Sequence, residues 1–180
     1  DAEQADSRRH AESLGPMLAG ALADPAVAAR ALDAVVVATG PAPFTGLRAG
    51  LVTARVIGRV RAVPVHGVPS PDALARAALD ELAGGADAGD AVVLVATDAR
   101  RKEVYAARYR ARGADDVERL GEPVVGPPER AVDLGGAEAV AGSGAVLHPR
   151  IARGRPVLAA GSGDARAQVR IALARLAAGE

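Results

Sequence analysis

The chain contains no cysteine, which excludes disulfide bonds, thiolate metal sites and cysteine nucleophiles, and which suits a reducing compartment. Aromatic residues are nearly as scarce, with no Trp, one Phe and two Tyr. A core must therefore be assembled from Ala, Val and Leu, and the stacked aromatic platforms that hold single-stranded nucleic acid are not expected. Neither sign of charge dominates: Lys and Arg together number 22, as do Asp and Glu. Such a balance supplies no general attraction to nucleic acid or to a membrane surface, so only a local cluster could do so. No apolar run approaches the roughly 20 residues needed to span a bilayer. Histidine is limited to His10, His66 and His148, far apart and without a second ligand at metal-binding spacing, so neither zinc nor iron is expected. Neither G-x-S-x-G nor H-E-x-x-H occurs, which weakens serine- and zinc-hydrolase readings.

What is present alternates between helical and extended patterns. A first helix is predicted over Ser7–Ala23, with Ala11, Leu14, Leu18 and Leu22 on one stripe. Asp6 or Ser7 can cap it, Asp24-Pro25 ends it, and Pro16 should kink or split it. A strand over Ala34–Thr39, a helix over Thr45–Val60, a short strand over Ala62–His66 and a helix over Asp72–Leu82 follow. The small, acidic stretch from Gly84 to Asp90 marks a boundary between an N-terminal lobe, residues 1–86, and a C-terminal lobe, residues 87–180. In the second lobe Ala91–Ala96 and Glu103–Tyr109, joined through Thr97–Lys102, read as a hairpin. Val117–Val125 is weakly extended, Ala145–His148 is expected as a last strand after the turn at Gly142, and Asp164–Ala178 as a closing amphipathic helix. Strands alternating with helices imply an α/β layered fold.

The most informative segment is Ala34–Gly50, AVVVATGPAPFTGLRAG. Its β-branched run stops at the turn Gly40-Pro41, and Thr45 is placed to cap the following helix. Strand, loop and helix in this order gather backbone N–H groups where an anion can sit. A P-loop, however, needs Lys after its last Gly, and Gly46 is followed by Leu47. Gly46, Gly50, Ala54 and Gly58 then recur every four residues. Glycine inside a helix costs up to ~1 kcal/mol against Ala, so close packing should offset it, within the same lobe or against a partner subunit. Arg48, Arg55 and Arg59 fall in a narrow arc, a solvated face or a contact for phosphate or carboxylate. Arg100, Arg101 and Lys102, with Arg108, Arg110 and Arg112 nearby, form the one local positive cluster, read as a solvated hairpin tip with RNA phosphates as the alternative. Ser143 and Ser162, each within Gly-Ser-Gly, read as turn residues.

Four of these segments match a known pattern. Gly40-Pro41, Phe44-Thr45-Gly46-Leu47-Arg48 and Gly50 follow G-P-G-S-F-T-G-L-R-x-G, with Ala42 and Pro43 in place of its Gly-Ser pair. Asp98-Ala99-Arg100-Arg101-Lys102-Glu103-Val104-Tyr105 is close to D-A-R-R-x-E-V-Y. Arg9-His10 with Leu14 is similar to a family first helix, and Gly142-Ser143-Gly144-Ala145 to a G-D-G-A turn with Ser for Asp. From about Asp6 to Ala145 the chain thus resembles the TsaB (YeaZ) family, the non-catalytic partner of TsaD in bacterial tRNA threonylcarbamoyladenosine synthesis, whereas Leu147–Gly163 diverges.

That resemblance implies an actin-like ATPase (RNase H-like) fold in two α/β lobes. Family members open with a three-stranded meander carrying a D-T-S-x turn, and its absence here implies an N-terminally truncated chain whose first lobe lacks those strands. The resemblance also implies no catalytic residue, no metal and no cofactor. The H-x-x-x-H metal pair of TsaD falls on Gly67 and Pro71, and its phosphate-binding Ser-Gly-Gly turn on Asp98–Arg101, where side chains replace glycine. The implied role is a cytoplasmic scaffold that forms a heterodimer with TsaD, joins TsaE in a larger complex and meets tRNA only through that complex, with no membrane partner. A homodimer would use the same surface. The interface is expected at His10, Leu14, Gly46, Arg48, Gly50, Ala54 and Gly58; the family motif comprises Gly40, Pro41, Phe44, Thr45, Asp98, Arg100, Arg101, Glu103 and Tyr105. The alternative is a nucleotide-binding or peptidase-like enzyme of the same superfold.

Overall fold

The structure, a computed structural model, describes residues 10–42, 44–84, 88–161 and 163–180. Asp6, Ser7, Arg9, Pro43 and Ser162 lie outside the described residues, as do the side chains of His10 and Phe44. Among the described residues no helix is long and apolar enough to cross a membrane.

The first half comprises helices α1 (His10–Ala23) and α2 (Pro25–Ala28), strand β1 (Val35–Ala38), helix α3 (Phe44–Arg61) and strand β2 (Val65–Val68). α1 runs through Pro16 without the predicted split. Pro16 forfeits one N–H bond of the ladder, and the remaining bonds carry the helix past it. β1 and β2 pair in parallel from Val35 opposite Val65 to Ala38 opposite Val68, with α3 as the crossover. The helix has begun by Phe44, so Thr45 lies inside its first turn and is not the cap. The chain turns earlier, at Gly40, whose φ of +90° suits glycine. The strand expected from Ala62 starts three residues later. Ala62 adopts the left-handed conformation (φ +54°) and the Val63 amide returns to the Gly58 carbonyl (2.9 Å), a Schellman-type stop that occupies this stretch.

Helix α4 (Ser70–Ala83) opens with Pro71 in its first turn and closes at Gly84 in the left-handed conformation. Beyond it come strands β3 (Val92–Arg100), β4 (Glu103–Arg112) and β5 (Asp116–Gly126), helix α5 (Pro128–Asp133), strand β6 (Ala139–Ala141), helix α6 (Ser143–Leu147), a 3-10 turn (Pro149–Ile151) and helix α7 (Ala165–Ala177). The sheet order is β5-β4-β3-β6, with β4 antiparallel to both β5 and β3, and β6 parallel to β3. The predicted hairpin exists with longer arms, and its turn contracts to Arg101-Lys102. The expected strand Ala145–His148 is a correction: those residues belong to α6 and its end, and the strand is β6. Three residues are too few to show alternation. Gly142 (φ +102°) then bends the chain so that α6 sits on the backbone of β3. A methyl group on Gly142 or Gly144 would lie 2.4 or 2.9 Å from the Ala96 carbonyl oxygen.

The sheet is buried on both faces, which is why β3 reads as a continuous apolar run. Val93, Val95, Ala107 and Tyr109 join Leu74 and Leu79 of α4 and Ile171 of α7 in one core. Leu94, Ala96, Val104 and Ala106 face Ala131 of α5, Ala145 of α6 and Ile151 in the other. Fully buried Ala73, Ala75 and Ala78 let α4 approach its neighbours closely.

Candidate functional site

Two features stand out, one between the sheets and one on the surface of α3. The first is a cavity of about 230 Å³ where the loop after β1, the start of α4 and the sheet meet. Pro41, Pro69 and Pro71 form one side, Val95, Tyr105, Ala107 and Tyr109 the sheet side, and Arg119, Pro123 and Val125 the rim contributed by β5. The signature loop therefore delivers Pro41, and the D-A-R-R-K-E-V-Y segment delivers Tyr105, to the same place.

Beside the cavity lies a buried polar group that no local pattern announces. Asp72 of α4 accepts from the Arg175 guanidinium of α7 (2.8 Å) and interacts with the Tyr109 hydroxyl. Arg175 also donates through Nε to Asp116 at the start of β5 (3.0 Å). Arg76, itself buried, donates to the Asp116 and Gly113 carbonyls (3.2 and 3.3 Å) and pairs with Asp80 (3.0 Å). Burial raises the Asp72 carboxyl above its ordinary value, against the opposing pull of Arg175. Burial, reinforced by the neighbouring Asp72, likewise raises the Tyr109 phenol. The carboxylate nearest the cavity is thus spent on a structural clasp.

On α3 the small-residue row divides. Ala54 and Gly58 are buried inside the chain, and a methyl group on Gly58 would meet Val65 Cγ2 at 2.4 Å. Gly46 and Gly50 are half-buried, with open space around Gly50. A row of residues four apart advances about 40° per step around a helix, so from Gly46 to Gly58 it turns through about 120°. Its two ends therefore face different surroundings, and Ala54 and Gly58 settle as packing within the chain. The outer face of α3 instead presents Val52, Val56 and Val60, exposed by 61, 55 and 75%, flanked by exposed Arg48, Arg55 and Arg59. α1, with Leu14 half-buried, packs beside α3. The valines have the four-residue spacing of a helix row, a signal hidden in the sequence by the arginines between them.

The two motifs of the second half meet although 45 residues separate them: the Asp98 amide donates to the Ser143 hydroxyl (3.1 Å). Ser143 is thereby more than a turn residue. Asp98 also accepts from the Arg100 amide (2.8 Å), which holds the left-handed run Arg100, Arg101 and Lys102 at the hairpin tip. Glu103, half-buried, begins β4. The positive cluster does not form one patch. Arg110 pairs with Glu118 (2.7 Å), Arg112 with Glu180 and Asp116, and Arg100 at the tip with Asp98 (3.4 Å), so most of these exposed charges are matched locally. Gly67 lies in β2, where a methyl group would meet Thr39 Cγ2 at 2.6 Å, and Pro71 lines the cavity. Among the described residues no three of His, Asp or Glu gather as metal ligands.

The model of the family described as TsaD, tRNA N6-adenosine threonylcarbamoyltransferase, matches residues 3–177. An uncharacterised protein of Mycobacterium tuberculosis is 47% identical over 138 residues, which is 77% of this chain and 57% of the relative. One from Mycobacterium leprae is 49% identical over 138 residues, 77% of this chain and 34% of the relative. The chain therefore spans about half the length of the first relative and a third of the second. Among solved structures, a Pseudomonas aeruginosa protein described as similar to the peptidase YeaZ superimposes with a TM-score of 0.79 at 30% identity, covering 98% of this chain and 81% of that one. YeaZ from the same organism gives 0.77 at 30% identity, covering 94 and 79%.

Proposed function

The chain belongs to the TsaD family and, within it, to the TsaB (YeaZ)-like proteins of actin-like ATPase fold, and from this premise we propose that it is a scaffold subunit of tRNA threonylcarbamoyladenosine synthesis. It docks on a TsaD-type catalytic subunit through α1 and the outer face of α3, and stabilises that subunit's active form. The single observation that supports this reading is the exposed valine row Val52, Val56 and Val60. Three large apolar side chains in line on one helix are costly to leave in water, at about 25 cal/mol per Å² of apolar surface. A second helix laid along the row removes that surface from water, with Arg48, Arg55 and Arg59 at the margin to select an acidic partner face. The non-catalytic assignment is supported by Asp72, whose carboxylate is engaged with Arg175 instead of being available to a reacting group. The half-buried Leu14 and Gly50 complete the proposed contact.

The test is co-purification of the chain with its cognate TsaD. Val56→Glu and the double variant with Val52→Glu should abolish the complex while leaving thermal unfolding within a few degrees of wild type, since both positions are solvent-exposed in the single chain. Retained binding by the double variant would overturn the assignment. Sedimentation of the chain alone separates the homodimer from the heterodimer, because both would use the same valines.

A further inference from the structure

We propose that the cavity beneath the signature loop is a binding site for a small planar carboxylate, its ring held between the proline wall and the tyrosines and its charge on Arg119. The lining is rigid: Pro41, Pro69 and Pro71 have locked rings, and Tyr109 is tied through its hydroxyl to Asp72. Such a wall does not collapse when empty, so a ligand meets a preformed site and orders little on entry. A volume of about 230 Å³ holds roughly eight waters at bulk density. It falls below the roughly 300 Å³ at which pockets for drug-sized ligands begin, which suits one or two fused rings and not a whole nucleotide. The lining is almost entirely apolar, so water inside finds few partners and its release favours an apolar ring.

Charge decides the other end of the ligand. Among the described residues lining the cavity, Arg119 is the one that carries a charge. Asp72 already accepts from Arg175 at 2.8 Å, and Arg119 stands beside the Tyr109 hydroxyl and within the field of Asp72, so a bound carboxylate shares its guanidinium with them. The Arg119 Nε donates to the Gly121 carbonyl (3.3 Å), which orients the planar guanidinium at the rim. A fork of this kind pairs with a carboxylate better than with any neutral group. None of Val52, Val56 and Val60 lines the cavity, so its test is separate from that of partner docking.

The probes are 2-naphthoate and its uncharged counterpart 2-naphthylmethanol, each titrated into the purified chain and followed by ligand-observed NMR. The acid should saturate a single site and bind at least tenfold more tightly than the alcohol. Arg119→Gln should lower the acid's affinity at least tenfold without changing that of the alcohol, and Arg119→Lys should restore part of the loss. Val125→Trp, a substitution at the 47% exposed rim, should weaken both probes by filling the mouth. The proposal is overturned if the acid does not saturate, if the alcohol binds equally well, or if Val125→Trp leaves both affinities unchanged.

Discussion

In the four-stranded sheet the central strand buries Val93, Leu94, Val95 and Ala96 essentially completely, whereas every residue of β1 in the two-stranded sheet keeps part of its surface in contact with solvent. The difference has a physical origin. β3 has a strand on each side and helices on both faces, while among the described residues β1 pairs with β2 alone and is covered by α3 and α7. The larger sheet is also tied at its edge: Arg175 links α7 to α4 and β5, and Arg170 reaches Asp80 and Asp115 (2.5 and 2.7 Å). The small sheet instead leaves an apolar row on the outside of its crossover helix. Where burial is complete, a residue is held by the fold; where it is incomplete, apolar surface remains for a partner. The stabilising core is therefore expected under the four-stranded sheet, although α7 of that half also leaves Val169, Leu173 and Leu176 exposed.

The sharpest way to break this comparison is to truncate one side chain in each half. Leu79→Ala, fully buried under the four-stranded sheet, should cost about 2–5 kcal/mol in urea unfolding. Val37→Ala in half-buried β1 should cost about 1 kcal/mol. Equal losses would show that the two halves share one core of uniform quality.

Glycines sharpen the contrast at intermediate size. Gly142→Ala places a methyl 2.4 Å from the Ala96 carbonyl at a φ of +102°, and should destabilise by about 1–3 kcal/mol. Gly50→Ala, in the interior of α3 with nothing within 4 Å, should stabilise the single chain by up to about 1 kcal/mol through helix propensity. Thermal unfolding of the pair tests both signs, and a loss at Gly50 would mean that the α3 surface is already packed.

The smallest expected effect is a pH dependence within the clasp. Because burial raises the folded-state pKa of Asp72 above its ordinary 3.8, the folded chain binds that proton more tightly than the unfolded chain. The corresponding stability is present below 3.8 and is lost as pH rises through the raised value. Asp72→Asn, which cannot titrate, should therefore gain on wild type as pH increases across this window. If Asp72→Asn loses ground instead, the attraction of Arg175 outweighs desolvation and the clasp is a net stabiliser of the ionised form.

Much of the chain order is visible before any tertiary contact. β1, α3, α4, the β3–β4 hairpin and α7 follow from apolar spacing, glycine and proline boundaries and the β-branched run Val35–Val37. β6 and α6 were not legible, because the nine residues Ala139–Leu147, mostly Ala, Val and Gly, carry no period of either kind. Their conformations are imposed by the β3 backbone, against which Gly142 and Gly144 pack. The small-residue row on α3 was legible as a close approach but not as to what approaches. Val65, seven residues beyond Gly58, is what fills that groove.

By itself the sequence determined most of the elements and their order, β6 and α6 excepted, and the two motifs that place the chain in its family. These depend on local spacing and backbone preference, which act over a turn or two. Only the tertiary structure decided which face of α3 is inside, brought Asp98 to Ser143 and Asp72 to Arg175 across 45 and 103 residues, and enclosed a cavity against Pro41. Burial is a property of what the whole chain packs against each residue, and no local pattern encodes it.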